Sequence, residues 1–261
     1  MELNLNNKKA LVCGSTQGIG KATAMTLAKE GVDVTLVARN EEKLKHVISE
    51  LPNNNQYHNY IVADFQNPEE LKSKIAQFIE QYHGFHILVN NTGGPQGGPI
   101  FNADLSEFES AFTQHLKCNH VLVQAVVPTM KRFGYGRIVN VISTSVKQPL
   151  DGLGVSNTIR GAVASWSKTL ANELGQFNIT VNNVLPGATG TERLSEIIGN
   201  KSTKTGKSED EISAMMQGAV PMKRFAKPEE IANAITFLAS EAASYINGIN
   251  LPVDGGRTKS L

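Results

Sequence analysis

Cysteine is scarce. Cys13 and Cys118 are the only two in 261 residues, far apart and in no Cys-x-x-Cys pair. That excludes a disulfide framework or a cysteine-based zinc site and fits a reducing compartment, the cytosol. Cys13 sits in an apolar run and reads as a small buried hydrophobe. The six histidines show no ligand spacing, so no metal is expected. No apolar run reaches the ~18 residues of a membrane span, and the polar, asparagine-rich stretch 1–9 lacks the apolar core of a secretion signal. Charge of one sign is lacking too: 25 basic and 24 acidic residues leave a net charge of +1, which gives no electrostatic case for nucleic acid or an anionic membrane. What is present, 40% hydrophobic and 19% charged residues, is an ordinary globular composition with length enough for one large domain.

Short apolar runs alternate with helix-patterned segments along the whole chain. Strands are expected at Ala10–Cys13, Asp33–Ala38, Tyr60–Ala63, His86–Asn90, Arg137–Ile142, Thr180–Leu185 and Asn250–Val253. Helices are expected at about Gly18–Glu30, Glu41–Glu50, Pro68–Tyr82, Leu105–Phe133, Ser156–Leu174 and Pro228–Ser240. Such alternation predicts an α/β fold with a parallel sheet of about seven strands and helices on both faces. Right-handed crossovers make it a single doubly wound domain whose ligand crevice lies at the carboxyl ends of the strands. Residues 191–217, polar and carrying Lys201, Lys204 and Lys207, interrupt the pattern just after a strand. They read either as a mobile substrate lid or as a solvated surface insertion.

Gly14-Ser15-Thr16-Gln17-Gly18-Ile19-Gly20 follows the first strand and opens the first helix. Glycines at such a turn let backbone N–H groups approach a pyrophosphate, whose charge the helix N-terminus favours. The G-x-x-x-G-x-G spacing, Asn90-Asn91-Thr92-Gly93 after the fourth strand, Pro186-Gly187 after the sixth and Val253-Asp254-Gly255-Gly256 near the end occur in one order over residues 5–256. On these motifs the chain resembles the short-chain dehydrogenase/reductase family, and within it the 3-oxoacyl-[acyl-carrier-protein] reductases. The resemblance implies a Rossmann fold and a dinucleotide held by the glycine turn. It also implies cofactor contacts from Asp64 at the adenine, from Asn91, Thr92 and Gly93, and from Pro186, Gly187, Thr189 and Thr191 on the nicotinamide side. At the end of the second strand Ala38 stands where an NAD enzyme commonly has its ribose-binding carboxylate, and Arg39 follows. A guanidinium there suits a 2′-phosphate, so NADP(H) is favoured over NAD(H). The alternatives are a solvated Arg39, or Glu41 or Glu42 reaching the ribose.

The family's Asn, Ser, Tyr, Lys tetrad is retained here at one position of four. Gly136–Ser143 resembles the strand that delivers the serine, placing Ser143 against a substrate carbonyl. Counting back from Trp166–Leu170 puts Ser156 at the tyrosine and Arg160 at the lysine. Counting back from Gln124–Pro128 puts His115 at the asparagine. No tyrosine occurs between Tyr135 and Tyr245 to restore the pair in another register. Serine lacks a phenol's acidity. Arg160 keeps a positive charge suited to the nicotinamide ribose, but it cannot relay protons. His115, with an ordinary pKa near 6.5, reads either as a proton source acting through water or as a helix histidine filling a polar gap.

The expectation is a cytosolic NADP(H)-dependent oxidoreductase acting on a small carbonyl or alcohol with a non-standard proton donor. The alternatives are a catalytically degenerate dinucleotide-binding sensor, or a lyase or isomerase on the same fold. The resemblance further implies a homo-oligomer, tetramer or dimer, paired through the helices at 105–133 and 156–174. Gly161, Ala162, Ala164 and Ser165 would permit close approach there, and equally suit packing on the chain's own sheet.

Overall fold

A computed structural model describes residues 2–260. In chain order it contains β1 (Lys9–Cys13), α1 (Gly18–Lys29), β2 (Asp33–Ala38), α2 (Glu41–Glu50), β3 (Asn59–Val62), α3 (Pro68–Tyr82) and β4 (Ile87–Asn90). Then come α4 (Leu105–Phe112), a π-helical turn (Thr113–Lys117), α5 (Cys118–Phe133), β5 (Gly136–Val141), α6 (Gly154–Leu174) and β6 (Ile179–Pro186). The chain closes with α7 (Glu192–Thr205), α8 (Glu209–Gly218), α9 (Pro228–Leu238) and β7 (Asn250–Val253). All seven strands are parallel, in the order β3-β2-β1-β4-β5-β6-β7.

Period-two alternation sends successive strand residues to opposite faces. Ala10 and Val12 join the cluster under α1, α2 and α9, with Leu27, Leu44, Ile231 and Ile235. Leu11 and Cys13 join the cluster under α3, α5 and α6, with Leu71, Ile75, Leu122 and Val126. Burying both faces is why the strands are apolar almost throughout. Chain direction across the sheet reverses between β1 and β4, which opens the crevice at their carboxyl ends.

Residues 191–217, expected as a lid or a solvated insertion, hold a pair of helices that their polarity did not signal. Thr191 and Ser208 cap them through their side chains, and Leu194, Ile198 and Ile212 are buried with Ala188, Met216 and Phe225 into a small core of their own. The expected single helix at Leu105–Phe133 runs through but is interrupted by the π turn at 113–117. His115 lies in that turn, one residue wider than an α-helical one, and is buried.

An asparagine row crosses the apolar sheet. Asn90, Asn140, Asn183 and Asn250 are in register on β4 to β7. Asn90 Nδ2 donates to Asn140 Oδ1 (2.8 Å), Asn140 Nδ2 to Asn183 Oδ1 (3.0 Å) and to Ser167 Oγ of α6 (2.9 Å), and Asn183 Nδ2 to Asn250 Oδ1 (2.8 Å). The first three residues are buried, so each link satisfies a group that would otherwise be stranded away from water. Asn140→Ala strands partners on both sides and is expected to cost about 2–4 kcal/mol in denaturant unfolding, against under about 1 kcal/mol for Asn250→Ala at the edge. Equal costs would contradict the ladder.

Candidate active site

The β1–α1 turn is defined by what cannot fit in it. Gly14 has φ +57°, and a Cβ there would lie 2.5 Å from the Asn91 carbonyl oxygen. A Cβ on Gly20 would strike the Gly14 carbonyl, and one on Gly18 (φ +54°) would press on Thr191 at 3.1 Å. Asn91 Nδ2 donates to the carbonyls of Cys13 and Gly14, both at 3.3 Å, which pins the turn to the loop after β4. Ser15 is buried and turned inward: its Oγ accepts from Val37 N–H at 3.1 Å, joining the turn to β2. Ile19 packs on the core. Ser15 and Ile19 therefore direct their side chains away from the crevice, and the turn offers backbone N–H groups there. Thr16 is half-buried and Gln17 exposed at its mouth.

α1 begins at Gln17 with no side-chain cap and no acidic residue in its first turn, unlike α2, α3, α7 and α8, which are capped by Asn40, Asn67, Thr191 and Ser208. A bare helix N-terminus carries unpaired N–H groups and partial positive charge, and this one fits a pyrophosphate. Arg39, at the end of β2, is exposed and makes no hydrogen bond or ion pair among the described residues. The competing carboxylates are occupied. Glu41 accepts from Tyr60 Oη (3.0 Å) and pairs with Lys45, which also holds Glu42 at 3.1 Å. Asp64, two residues beyond β3, accepts from Gln66 N–H at 3.0 Å. Gly93 is exposed, and a Cβ there would meet nothing within 4 Å, so the backbone stands open to the crevice.

Across the crevice, Gly187 N–H donates to Val253 O (2.9 Å) and Thr189 Oγ1 to Gly187 O (3.0 Å), which fixes the turn after Pro186. Thr191, over Gly18, caps α7. Arg193, in the first turn of α7, donates to Pro95 O at 2.8 Å. The loop after β4 is thus tied to α7 on one side. On the other it reaches the segment before α6, through Gly98 N–H to Gly152 O (2.8 Å). Arg193 escaped the sequence reading, because nothing in the polar stretch singled out one charge that crosses to residue 95.

Ser143, two residues beyond β5, is half-buried; its Oγ accepts from Ser145 N–H (3.1 Å), which leaves its own proton free to donate. Ser156 is half-buried in the first turn of α6. Arg160, one turn on, is 7% exposed and donates from Nη1 to Val141 O at 3.0 Å. Burial pushes its guanidinium down to about 10, with no carboxylate acting on it, which still leaves it cationic at working pH. His115 is 1% exposed, with Nδ1 2.6 Å from Thr92 Oγ1 and Nε2 without a partner. Burial, aided by the Arg160 charge, pushes its imidazole down to about 2, so it is neutral at working pH and holds no spare proton of suitable acidity. Among the described residues no group of three His, Cys, Asp or Glu could hold a metal ion, Cys13 and Cys118 are buried and free, and no helix is long and apolar enough to cross a membrane.

A family model described as enoyl-(acyl carrier protein) reductase matches residues 14–258. The NADPH-dependent reductase BacG of Bacillus subtilis is 30% identical over 259 residues, 98% of this chain and 100% of that protein. The 3-oxoacyl-[acyl-carrier-protein] reductase FabG of Staphylococcus epidermidis is 32% identical over 253 residues, 96% of this chain and 98% of that one. Among solved structures, L-sorbose reductase from Gluconobacter frateurii, complexed with NADPH and L-sorbose, superposes with a TM-score of 0.94 at 31% identity, covering 100% of both chains. With the parallel seven-stranded sheet, the glycine turn and the matches along its whole length, the chain belongs to the short-chain dehydrogenase/reductase family of oxidoreductases.

Proposed function

We propose that the protein is an NADP(H)-dependent oxidoreductase that reduces the carbonyl of a small molecule, or oxidises the corresponding alcohol, without a tyrosine acid. The observation that carries the reading is the bare N-terminus of α1 held open by Gly14, Gly18 and Gly20 against Asn91. The phosphorylated cofactor is favoured because Arg39 is unpaired while Glu41 and Glu42 are committed to Tyr60 and Lys45. The names of the relatives support it: one is an NADPH-dependent reductase and one is complexed with NADPH.

Bound in this crevice, NADPH supplies a hydride to a carbonyl carbon. Ser143 donates its free O–H to the carbonyl oxygen, where negative charge develops. Arg160, fixed to Val141 O beside it, adds a positive charge that does not switch off at working pH. Ser156, shorter than a phenol by a ring, leaves room for water, and the proton comes from solvent. Burial, with the Arg160 charge beside it, keeps His115 neutral, and its contact with Thr92 makes its part the positioning of the Asn91–Gly93 loop. Thr191 and Arg193 close α7 over the crevice as a lid. The same absence of an acid favours the second reading, a dinucleotide-binding sensor. α5 and α6 would pair copies into a dimer or tetramer; Ser165 is exposed, and a Cβ on Gly161 would meet nothing within 4 Å.

Calorimetric titration with NADPH, NADP+, NADH and NAD+ tests the cofactor reading. The phosphorylated pair is expected to bind at least about 10-fold tighter, and Arg39→Ala to remove that preference while leaving NADH binding unchanged. No binding by any of the four would defeat the reading. For the neutral histidine, a 15N-resolved NMR titration of the imidazoles is expected to show His115 neutral down to pH 4. A folded pKa below the unfolded ~6.5 means the unfolded chain binds the extra proton. Stability contributed by the neutral ring is therefore complete above about 6.5 and declines as pH falls toward 2. A His115 transition near pH 6.5 in the folded protein would overturn this.

A further inference from the structure

The start of α7 touches both lips of the crevice. A Cβ on Gly18 would lie 3.1 Å from Thr191 Cγ2, so Thr191 rests on the β1–α1 turn. Two residues on, Arg193 Nη2 donates to Pro95 O at 2.8 Å, in the loop after β4. Thr191 moves as part of the helix, because its side chain caps Leu194 N–H and its hydroxyl donates to Thr189 O at 3.3 Å. Whatever seats Thr191 therefore also aims Arg193.

The loop that Arg193 reaches has little else to hold it. Among the described residues no other hydrogen bond falls between Thr92 and Gly98. A Cβ on Gly93 or Gly94 would meet nothing within 4 Å. At Gly98 the loop is tied again: its N–H donates to Gly152 O (2.8 Å) and Gly154 N–H donates to Gly98 O (3.2 Å). Gly154 opens α6, two residues before Ser156. A chain of contacts thus runs from the glycine turn through Thr191, Arg193 and the loop to the first turn of α6.

The central bond of that chain is reversible. The Arg193 side chain is 40% exposed, so water competes for the Pro95 carbonyl, and such a bond shifts an equilibrium by about fivefold. The other guanidinium nitrogen, Nη1, pairs with Glu196 of the same helix at 3.1 Å. Arg193 therefore keeps a partner when α7 lifts from the loop.

We propose that Arg193 is a positioning residue that relays cofactor binding to the loop after β4 and the start of α6; the inference rests on the NADP(H) reading. A dinucleotide held beneath Thr191 keeps α7 down and the Arg193–Pro95 bond closed. The loop from Gly94 to Gly98, and through it the segment before Ser156, stiffens in turn. Linkage makes the effect reciprocal: the closed bond tightens cofactor binding by the factor by which the cofactor favours closure.

The test follows amide hydrogen exchange by mass spectrometry, with and without NADPH, in the wild type, Arg193→Ala and Glu196→Ala. Calorimetry gives the NADPH Kd of each. In the wild type NADPH is expected to slow exchange at 14–20 and 91–93, and also at 94–98 and 152–155, by about fivefold at the latter two. Arg193→Ala should keep the slowing at 14–20, lose it at 94–98 and 152–155, and bind NADPH about fivefold more weakly. Glu196→Ala, which removes the ion pair but leaves the Pro95 bond, should stay within about twofold of the wild type. Slowing at 94–98 and 152–155 that persists in Arg193→Ala, an unchanged Kd, or a Glu196→Ala protein that matches Arg193→Ala overturns the relay. Wild-type slowing confined to 14–20 and 91–93 also overturns it, while leaving the cofactor reading intact. Absence of NADPH binding to the wild type overturns both.

Discussion

The contact on which the rest depends is the close approach of the β1–α1 turn to Asn91. Gly14 and Gly20 leave no space for a side chain, and the Asn91 amide closes on two carbonyls of the turn. That clamp sits where chain direction across the sheet reverses. It fixes the first helix so that its N-terminus faces the crevice uncapped, and it positions the loop that carries Thr92 and Gly93. Thr191, packed on Gly18, and Arg193, bonded to Pro95, bring the start of α7 against the same two segments. A bulkier residue at either glycine would displace the turn and the loop together.

Around this clamp the crevice is rich in donors and poor in free carboxylates. Helix N–H groups, Arg39, the Ser143 hydroxyl and Arg160 point to ligands that bring negative charge or develop it. The one histidine among the expected catalytic residues does not titrate near neutral pH. Burial drives His115 down to about 2 and leaves Arg160 at about 10, and Ser156 is not an acid in this range.

The sheet was legible because burial on both faces makes each strand a short apolar run, and β2, α2, α3 and β7 fall where the pattern put them. The glycine turn was legible as backbone chemistry, but the inward side chain of Ser15 was not, since its partner, Val37, lies on another strand. The helices at 192–218 were hidden by polarity: only Leu194, Ile198 and Ile212 are fully buried, and most of the remaining residues are polar. The π turn that carries the buried His115 has no local sequence signal. The asparagine row shows the same limit. Each asparagine is visible in an apolar strand, but the register that joins them is tertiary.

The most direct test is the pH profile of kcat/KM for carbonyl reduction at saturating NADPH. With His115 pushed down to about 2 and Arg160 left at about 10, the profile is expected to be level from pH 6 to about 9. A limb with an apparent pKa between 6 and 9, abolished in His115→Asn, would show that His115 does exchange a proton during turnover, and it would contradict the account.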